Sequence, residues 1–166
     1  SLRVAPDELQ QALASVSADF RKALQAAARN IRQFCEWQKP QEFRREIQPG
    51  ICVGQVVRPL ASVGCYVPGG RYPLPSSLLM TAIPAQVAGV RRVVMTSPRP
   101  ARETLAAAAL CGVTEFYRMG GTQAIAALAY GTSSVARVDK IVGPGNKFVT
   151  AAKKQVAFDC GIDFLA

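Results

Sequence analysis

Ser62-Val63-Gly64-Cys65-Tyr66-Val67-Pro68-Gly69-Gly70 is a run of compact and β-branched residues that stops at a proline and two glycines. That is the pattern of a buried strand emptying into a tight turn. Downstream of it, such runs alternate with alanine-rich stretches of helical period. Strands are predicted at Ser62 to Val67, Arg92 to Thr96, Glu115 to Arg118 and Lys140 to Val142, and helices at Ser77 to Ala88, Ala101 to Cys111, Gln123 to Tyr130 and Asn146 to Phe158. Strand and helix repeated in this order imply right-handed crossovers, hence an α/β fold with a parallel sheet and helices on both faces. The expected core is Val63, Val67, Leu79, Ile83, Val87, Val93, Val94, Leu105, Phe116, Ile125, Leu128, Ile141 and Val149.

Upstream the pattern is different. Between Asp7 and Trp37, Leu9, Leu13, Val16, Phe20, Leu24, Ala27 and Ile31 recur at three- and four-residue steps, which predicts an amphipathic helical arm starting at Pro6-Asp7 and stopped near Pro40. Its apolar stripe is read first as a packing face and second as a surface for a partner subunit. Gln48-Pro49-Gly50 is a turn signal between β-type runs at Glu46-Ile47 and Ile51 to Val57, so a short hairpin is expected. The predicted organisation is a helical arm over residues 1–42, a hairpin connector over 43–61 and the α/β domain over 62–166.

The 166 residues are about half apolar, at 49%, and are enough for one ordinary core. No run reaches the roughly 18 apolar residues that a membrane span needs, and the N-terminus lacks a secretory pattern; a soluble, cytoplasmic protein is expected. Five scattered cysteines, Cys35, Cys52, Cys65, Cys111 and Cys160, form no C-x-x-C pair and sit in apolar segments, which favours buried thiols in a reducing compartment. There is no histidine, so this chain lacks the usual general base and the usual zinc ligand. The net charge of +9 is carried by dispersed pairs such as Arg44-Arg45, Arg91-Arg92 and Lys153-Lys154 without interleaved aromatics. A solvated basic surface that attracts phosphate-bearing cofactors explains this better than nucleic-acid binding.

In an open parallel sheet ligands bind beyond the carboxyl ends of the strands. Three strand-to-helix junctions there carry glycine: Tyr66-Val67-Pro68-Gly69-Gly70-Arg71-Tyr72-Pro73, Met119-Gly120-Gly121-Thr122-Gln123 and Gly143-Pro144-Gly145-Asn146. Glycine lets a ligand approach the backbone, and the unpaired N–H groups of the following helices attract anions such as a pyrophosphate. Any one junction is explained by a tight turn alone. Three together, each with a polar or aromatic side chain at its mouth (Tyr66, Gln123, Asn146), point to a ligand site. The dinucleotide fingerprint G-x-G-x-x-G is missing, and the second strand ends in Thr96-Ser97 with no acid for a ribose diol, so a standard Rossmann binding mode is not expected.

Four long stretches occur in order: Arg58 to Gly70 (RPLASVGCYVPGG); Leu79-Met80 with Pro84-Ala85 and Val87-Ala88-Gly89; Gly120 to Thr132 (GGTQAIAALAYGT); and Val138 to Asn146 (VDKIVGPGN). Together they resemble consecutive motifs of the histidinol dehydrogenase family, and the resemblance covers essentially the whole chain. It implies an incomplete Rossmann-like domain, which accounts for the missing fingerprint. It further implies an enzyme of histidine biosynthesis that oxidises L-histidinol to L-histidine through an aldehyde, with two NAD and one bound zinc, as a homodimer. The family's NAD-contacting tyrosine, glutamine and asparagine correspond to Tyr66, Gln123 and Asn146.

The resemblance also implies that the acid and base, the zinc ligands and a Gly-Pro-Ser/Thr-Glu turn follow after Ala166, so no catalytic or metal residue is assigned to this chain. Both ends, Ser1 and Ile162-Asp163-Phe164-Leu165-Ala166, are expected to be cuts. Family members often have histidine where Cys35 stands and alanine where Thr122 stands; both are read as packing variation, with the Thr122 hydroxyl near the expected NAD pocket. Two further readings stay open: a related dehydrogenase for another small alcohol such as a sulfonated diol, and a non-catalytic nucleotide-binding module.

Overall fold

The computed structural model describes residues 1–69 and 72–164. Gly70 and Arg71 of the first glycine junction, and Leu165-Ala166 at the end, lie outside the described residues. The helices α1 (Pro6–Ser15) and α2 (Ala18–Gln38) come first, followed by strands β1 (Phe43–Gln48) and β2 (Ile51–Gln55). Then come β3 (Ser62–Tyr66), α3 (Pro75–Val87), β4 (Arg92–Thr96), α4 (Arg102–Leu110), β5 (Glu115–Tyr117), α5 (Gly121–Tyr130), β6 (Lys140–Val142), α6 (Lys147–Val156) and β7 (Gly161–Ile162).

The main sheet has the order β5-β4-β3-β6-β7 and is parallel throughout. Chain growth therefore runs outward from β3 to β5 on one side, then returns across the sheet to β6 and β7 on the other. Helices α3 and α4 join one core cluster with Val63, Cys65 and Met95, whereas α5 and α6 join a second with Val94 and Ile141. Alternate side chains of the strands thus feed opposite faces, as the period of two demands. The β3 pattern is buried at every position because both faces are covered. The expected core is buried except for Val93, which is half-buried.

The helical arm is not one helix. It breaks at Val16-Ser17, both extended, and Ser17 caps α2 by accepting a hydrogen bond from the Phe20 N–H at 3.2 Å. The uninterrupted apolar spacing across the break concealed it, because a serine at that point is also tolerated inside a helix. The break lets α1 lie against α4 while α2 lies against α3. Leu9, Ala12 and Leu24 belong to the same core cluster as β3, so the stripe acts first as a packing face. An arginine in the first turn of α2 ties the two helices: Arg21 Nη2 donates to the carbonyl of Leu13 at 2.8 Å.

The first residues add a feature the sequence reading lacked. Arg3 bridges antiparallel to Tyr117, Val4 N–H donates to Phe116 O and Arg118 N–H donates to Leu2 O, at 2.8 and 2.7 Å. They cover the open edge of β5. The hairpin β1–β2 forms around Gly50, which takes a φ of 80°, and both its faces are exposed. Consequently Cys52 is exposed, contrary to the expectation that the thiols are buried; Cys65 and Cys160 are buried and Cys35 and Cys111 are half-buried. A two-stranded ribbon exposed at every position of both strands has no inside in which to hide a side chain.

Candidate functional site

The order of the sheet reverses beside β3, so the crevice at the carboxyl ends of β3 and β6 is its topological switch point. Tyr66 ends β3 there and is 4% exposed. Its hydroxyl accepts a hydrogen bond from the Gly121 N–H at 3.1 Å, which satisfies one of the first amides of α5. On the other side, Gly143 follows β6 with a φ of 114°, and a Cβ built on it would collide with the carbonyl of Tyr66. Three loops far apart in sequence are therefore gathered around one tyrosine.

Pro98 performs the same service from β4. A Cβ on Gly69 or on Gly120 would run into its ring, so these glycines of the first and second junctions are required by packing of loop on loop. Thr96, fully buried at the end of β4, donates its hydroxyl to Met119 O at 2.5 Å and ties the same pair of loops. These contacts explain Gly69, Gly120 and Gly143 without a ligand. What they build is a rigid rim of backbone on one edge of the sheet.

The three candidate residues occupy different places on that rim. Tyr66 is at its centre. Asn146 is exposed and caps α6, its Oδ1 accepting from Phe148 N–H and Val149 N–H, both at 3.1 Å. Gln123 is exposed in the first turn of α5 and lines, with Thr122 and Ala152, a cavity of about 200 Å³ between α5 and α6. No hydrogen bond joins Gln123 or Asn146 to Tyr66 among the described residues.

The electrostatics suit an anion. None of α3, α5 and α6 has an acidic residue in its first turn, so the positive ends of these helix dipoles are not offset. At the β3–β4 side, a cavity of about 120 Å³ is lined by Gly69, Tyr72, Ser97, Arg99 and Thr104. A larger cavity of about 720 Å³, mostly apolar, lies between the connector, α3 and the end of β6, where Gly143, Pro144 and Phe164 border it. Among the described residues no three His, Cys, Asp or Glu side chains come together as a metal site.

Two residues essential to the rim went unread in the sequence. Lys153, treated there as half of a surface basic pair, is 3% exposed and donates to Gly143 O at 2.6 Å and to Asp163 Oδ1 at 2.5 Å. Asp163 Oδ2 in turn accepts from the Gly143 N–H at 2.7 Å. The signal was available: Val149, Ala152, Lys153 and Val156 are the buried positions of α6, so Lys153 occupies its inward stripe.

The family model of histidinol dehydrogenase matches residues 1–166. The chain belongs to the histidinol dehydrogenase family. It is 56% identical over 160 residues to the histidinol dehydrogenase of Photobacterium profundum, covering 96% of this chain and 36% of that protein. It is 49% identical to the histidinol dehydrogenase of Methanothermobacter thermautotrophicus, covering all of this chain, 100%, and 40% of that protein. The crystal structure of histidinol dehydrogenase from Elizabethkingia anophelis superposes with a TM-score of 0.95 at 39% identity, over 100% of this chain and 40% of that one. The chain therefore spans between about a third and two-fifths of the length of these histidinol dehydrogenases. Cys35 packs half-buried against the core and Thr122 is exposed, its hydroxyl 3.5 Å from Gln123 Oε1.

Proposed function

We propose that this chain supplies the NAD-binding rim of a zinc-dependent enzyme oxidising L-histidinol to L-histidine in the cytoplasm. The observation that carries the reading is the convergence of Tyr66, Gly121 and Gly143 at the switch point of the sheet, in a chain of this family. In this reading residues 1–42 serve as the arm, 43–61 as the connector and 62–166 as the binding domain. No described helix is long and apolar enough to cross a membrane.

NAD fits the rim on two grounds: the start of α5 at a glycine-bearing edge suits a pyrophosphate, since Tyr66 takes only the Gly121 amide there, and no carboxylate sits in the first turns of α5 and α6 that would repel it. When bound, NAD accepts the hydride. Tyr66 would hold the loops at fixed spacing, Gln123 would offer its amide from α5, and Asn146 would contribute from the start of α6, where its Oδ1 keeps the helix amides in place. Zinc does not fit the described residues, which bring no suitable donor set together; its ligands would come from the part of the family's length that this chain does not span. Exposed Phe34, Trp37, Phe43, Ile47 and Ile51 on α2 and the hairpin suit burial against a second subunit of a homodimer.

Calorimetric titration of NAD into the protein, with Tyr66→Phe and Asn146→Ala as comparisons, tests the cofactor site: saturable binding weakened in both supports it. Folded protein without saturable binding would remove it. Complementation of a histidine auxotroph by the complete gene tests the substrate.

A further inference from the structure

We propose that Lys153 and Asp163 are positioning residues that set the Gly143–Asn146 loop for the coenzyme; the inference rests on the NAD reading above. A lysine buried in the stripe of α6 is costly unless its ammonium is fully used. A methionine would fill the stem's space without that cost. Here both charged groups converge on a single glycine: Lys153 donates to its carbonyl, and Asp163 accepts from its N–H. Both polar groups of a residue at a φ of 114° are thus held by side chains.

The arrangement also links distant elements. Asp163 N–H donates to Ile141 O at 3.2 Å, continuing the β6–β7 ladder, so its carboxylate arrives beside Gly143 two residues further along. Lys153 comes from the helix that Asn146 caps. Its ammonium also lies 5.2 Å from the centre of the Phe164 ring, a further contact that keeps it in place. Because Gly143 abuts the Tyr66 carbonyl, release of this clamp moves the loop relative to Tyr66 and relative to Asn146. A shift of about 1 Å is enough to weaken recognition of a bound group.

The test is made in the complete gene product containing this chain. Lys153→Met keeps the stem and deletes the ammonium; Asp163→Asn keeps the shape and deletes the charge. Arg92→Met serves as the comparison, since it breaks another part-buried ion pair, with Glu115, at the opposite end of the sheet. Loss of a hydrogen-bonded charge predicts that the Kd for NAD rises about tenfold or more in Lys153→Met, with kcat at saturating NAD within about twofold of the parent. Arg92→Met lowers thermal stability and leaves the Kd unchanged. Amide exchange at Gly145, Asn146 and Lys147 is expected to speed up in Lys153→Met and Asp163→Asn and not in Arg92→Met.

A folded Lys153→Met protein with parental Kd and parental exchange overturns the proposal. If Lys153→Met does not fold, Lys153→Gln, which can still donate to Gly143, replaces it, with the same outcomes expected at smaller amplitude. If the parent itself does not bind NAD, the functional reading fails, and the exchange of the three amides alone decides whether the clamp holds the loop.

Discussion

Tyr66 on the central strand and Gly121 at the start of α5 are joined by a hydrogen bond of 3.1 Å from the glycine N–H to the phenol oxygen. The contact spans 55 residues and makes a side chain of the sheet the cap of a helix that has no side-chain cap of its own. Tyr66→Phe leaves that amide without its partner while keeping the ring. A loss of about 1 kcal/mol in unfolding free energy is expected from urea titration. Tyr66→Ala would also open a cavity and cost about 3–5 kcal/mol, so only the phenylalanine variant reads the hydrogen bond. Unchanged stability in Tyr66→Phe would mean that water replaces the hydroxyl.

Gly143 and Gly50 share a positive φ, at 114° and 80°, but only Gly143 has a neighbour in the way. Gly50→Ala meets open space and loses about 1 kcal/mol to the backbone conformation alone. Gly143→Ala adds a collision with the Tyr66 backbone, which cannot rotate aside, and should cost more than about 3 kcal/mol. Equal denaturation midpoints for the two variants would contradict the close approach of β3 and the β6 loop.

Glu115 and Asp139 are expected to make the fold acid-sensitive. Hydrogen bonds and charge from Arg92 hold the Glu115 carboxyl below its ordinary 4.5, and hydrogen bonds from the Ser62 hydroxyl and amide hold Asp139 below its ordinary 3.8. For carboxyls depressed in the folded state, the stabilisation is complete above those ordinary values and is lost as pH falls through the folded ones. The urea midpoint should therefore decline below about pH 4.5. Arg92→Met should lower the midpoint at neutral pH and flatten part of that decline, and Ser62→Ala should flatten another part. A decline of parental steepness in both variants would assign acid sensitivity to other groups.

Native thiol titration should separate the cysteines. Cys52 is exposed on the hairpin, whereas burial pushes the Cys65 thiol up to about 12 and the Cys111 thiol up to about 11. Burial also raises Cys35 and Cys160. Since the thiolate is the reacting form, one equivalent of a colorimetric disulfide reagent is expected to react quickly and to disappear in Cys52→Ser. The other thiols become accessible on unfolding. Rapid reaction of several thiols in the folded Cys52→Ser protein would show that the core opens readily.

Much of the architecture is legible locally. The strand limits at Arg92–Thr96 and Lys140–Val142 were readable from compact residues between turn signals. The helix stripes of the α/β part were readable from their period. The strand β7 was not, because Gly161–Ile162 is too short to carry a pattern. The bend at Ser17 was hidden by apolar residues that keep step across it. Of the site, the glycine junctions and Tyr66 stood out, while Lys153 was masked by its neighbour Lys154: adjacent residues on a helix face about 100° apart, so one is buried and the other is exposed.

By itself the sequence determined the alternation of strands and helices, the glycine-bearing junctions and the family. Each of these is written in spacing along the chain, through the periods of two and 3.6 and through motifs of consecutive residues. Only the tertiary structure decided that the strand order reverses beside β3, that residues 2–4 cover the edge of β5, and that Tyr66, Gly121 and Gly143 meet while Lys153 and Asp163 close on the same glycine. Those relationships join residues brought together by crossovers and packing, and a one-dimensional pattern does not specify which distant hydrogen-bonding groups become neighbours when the two faces of the sheet are buried.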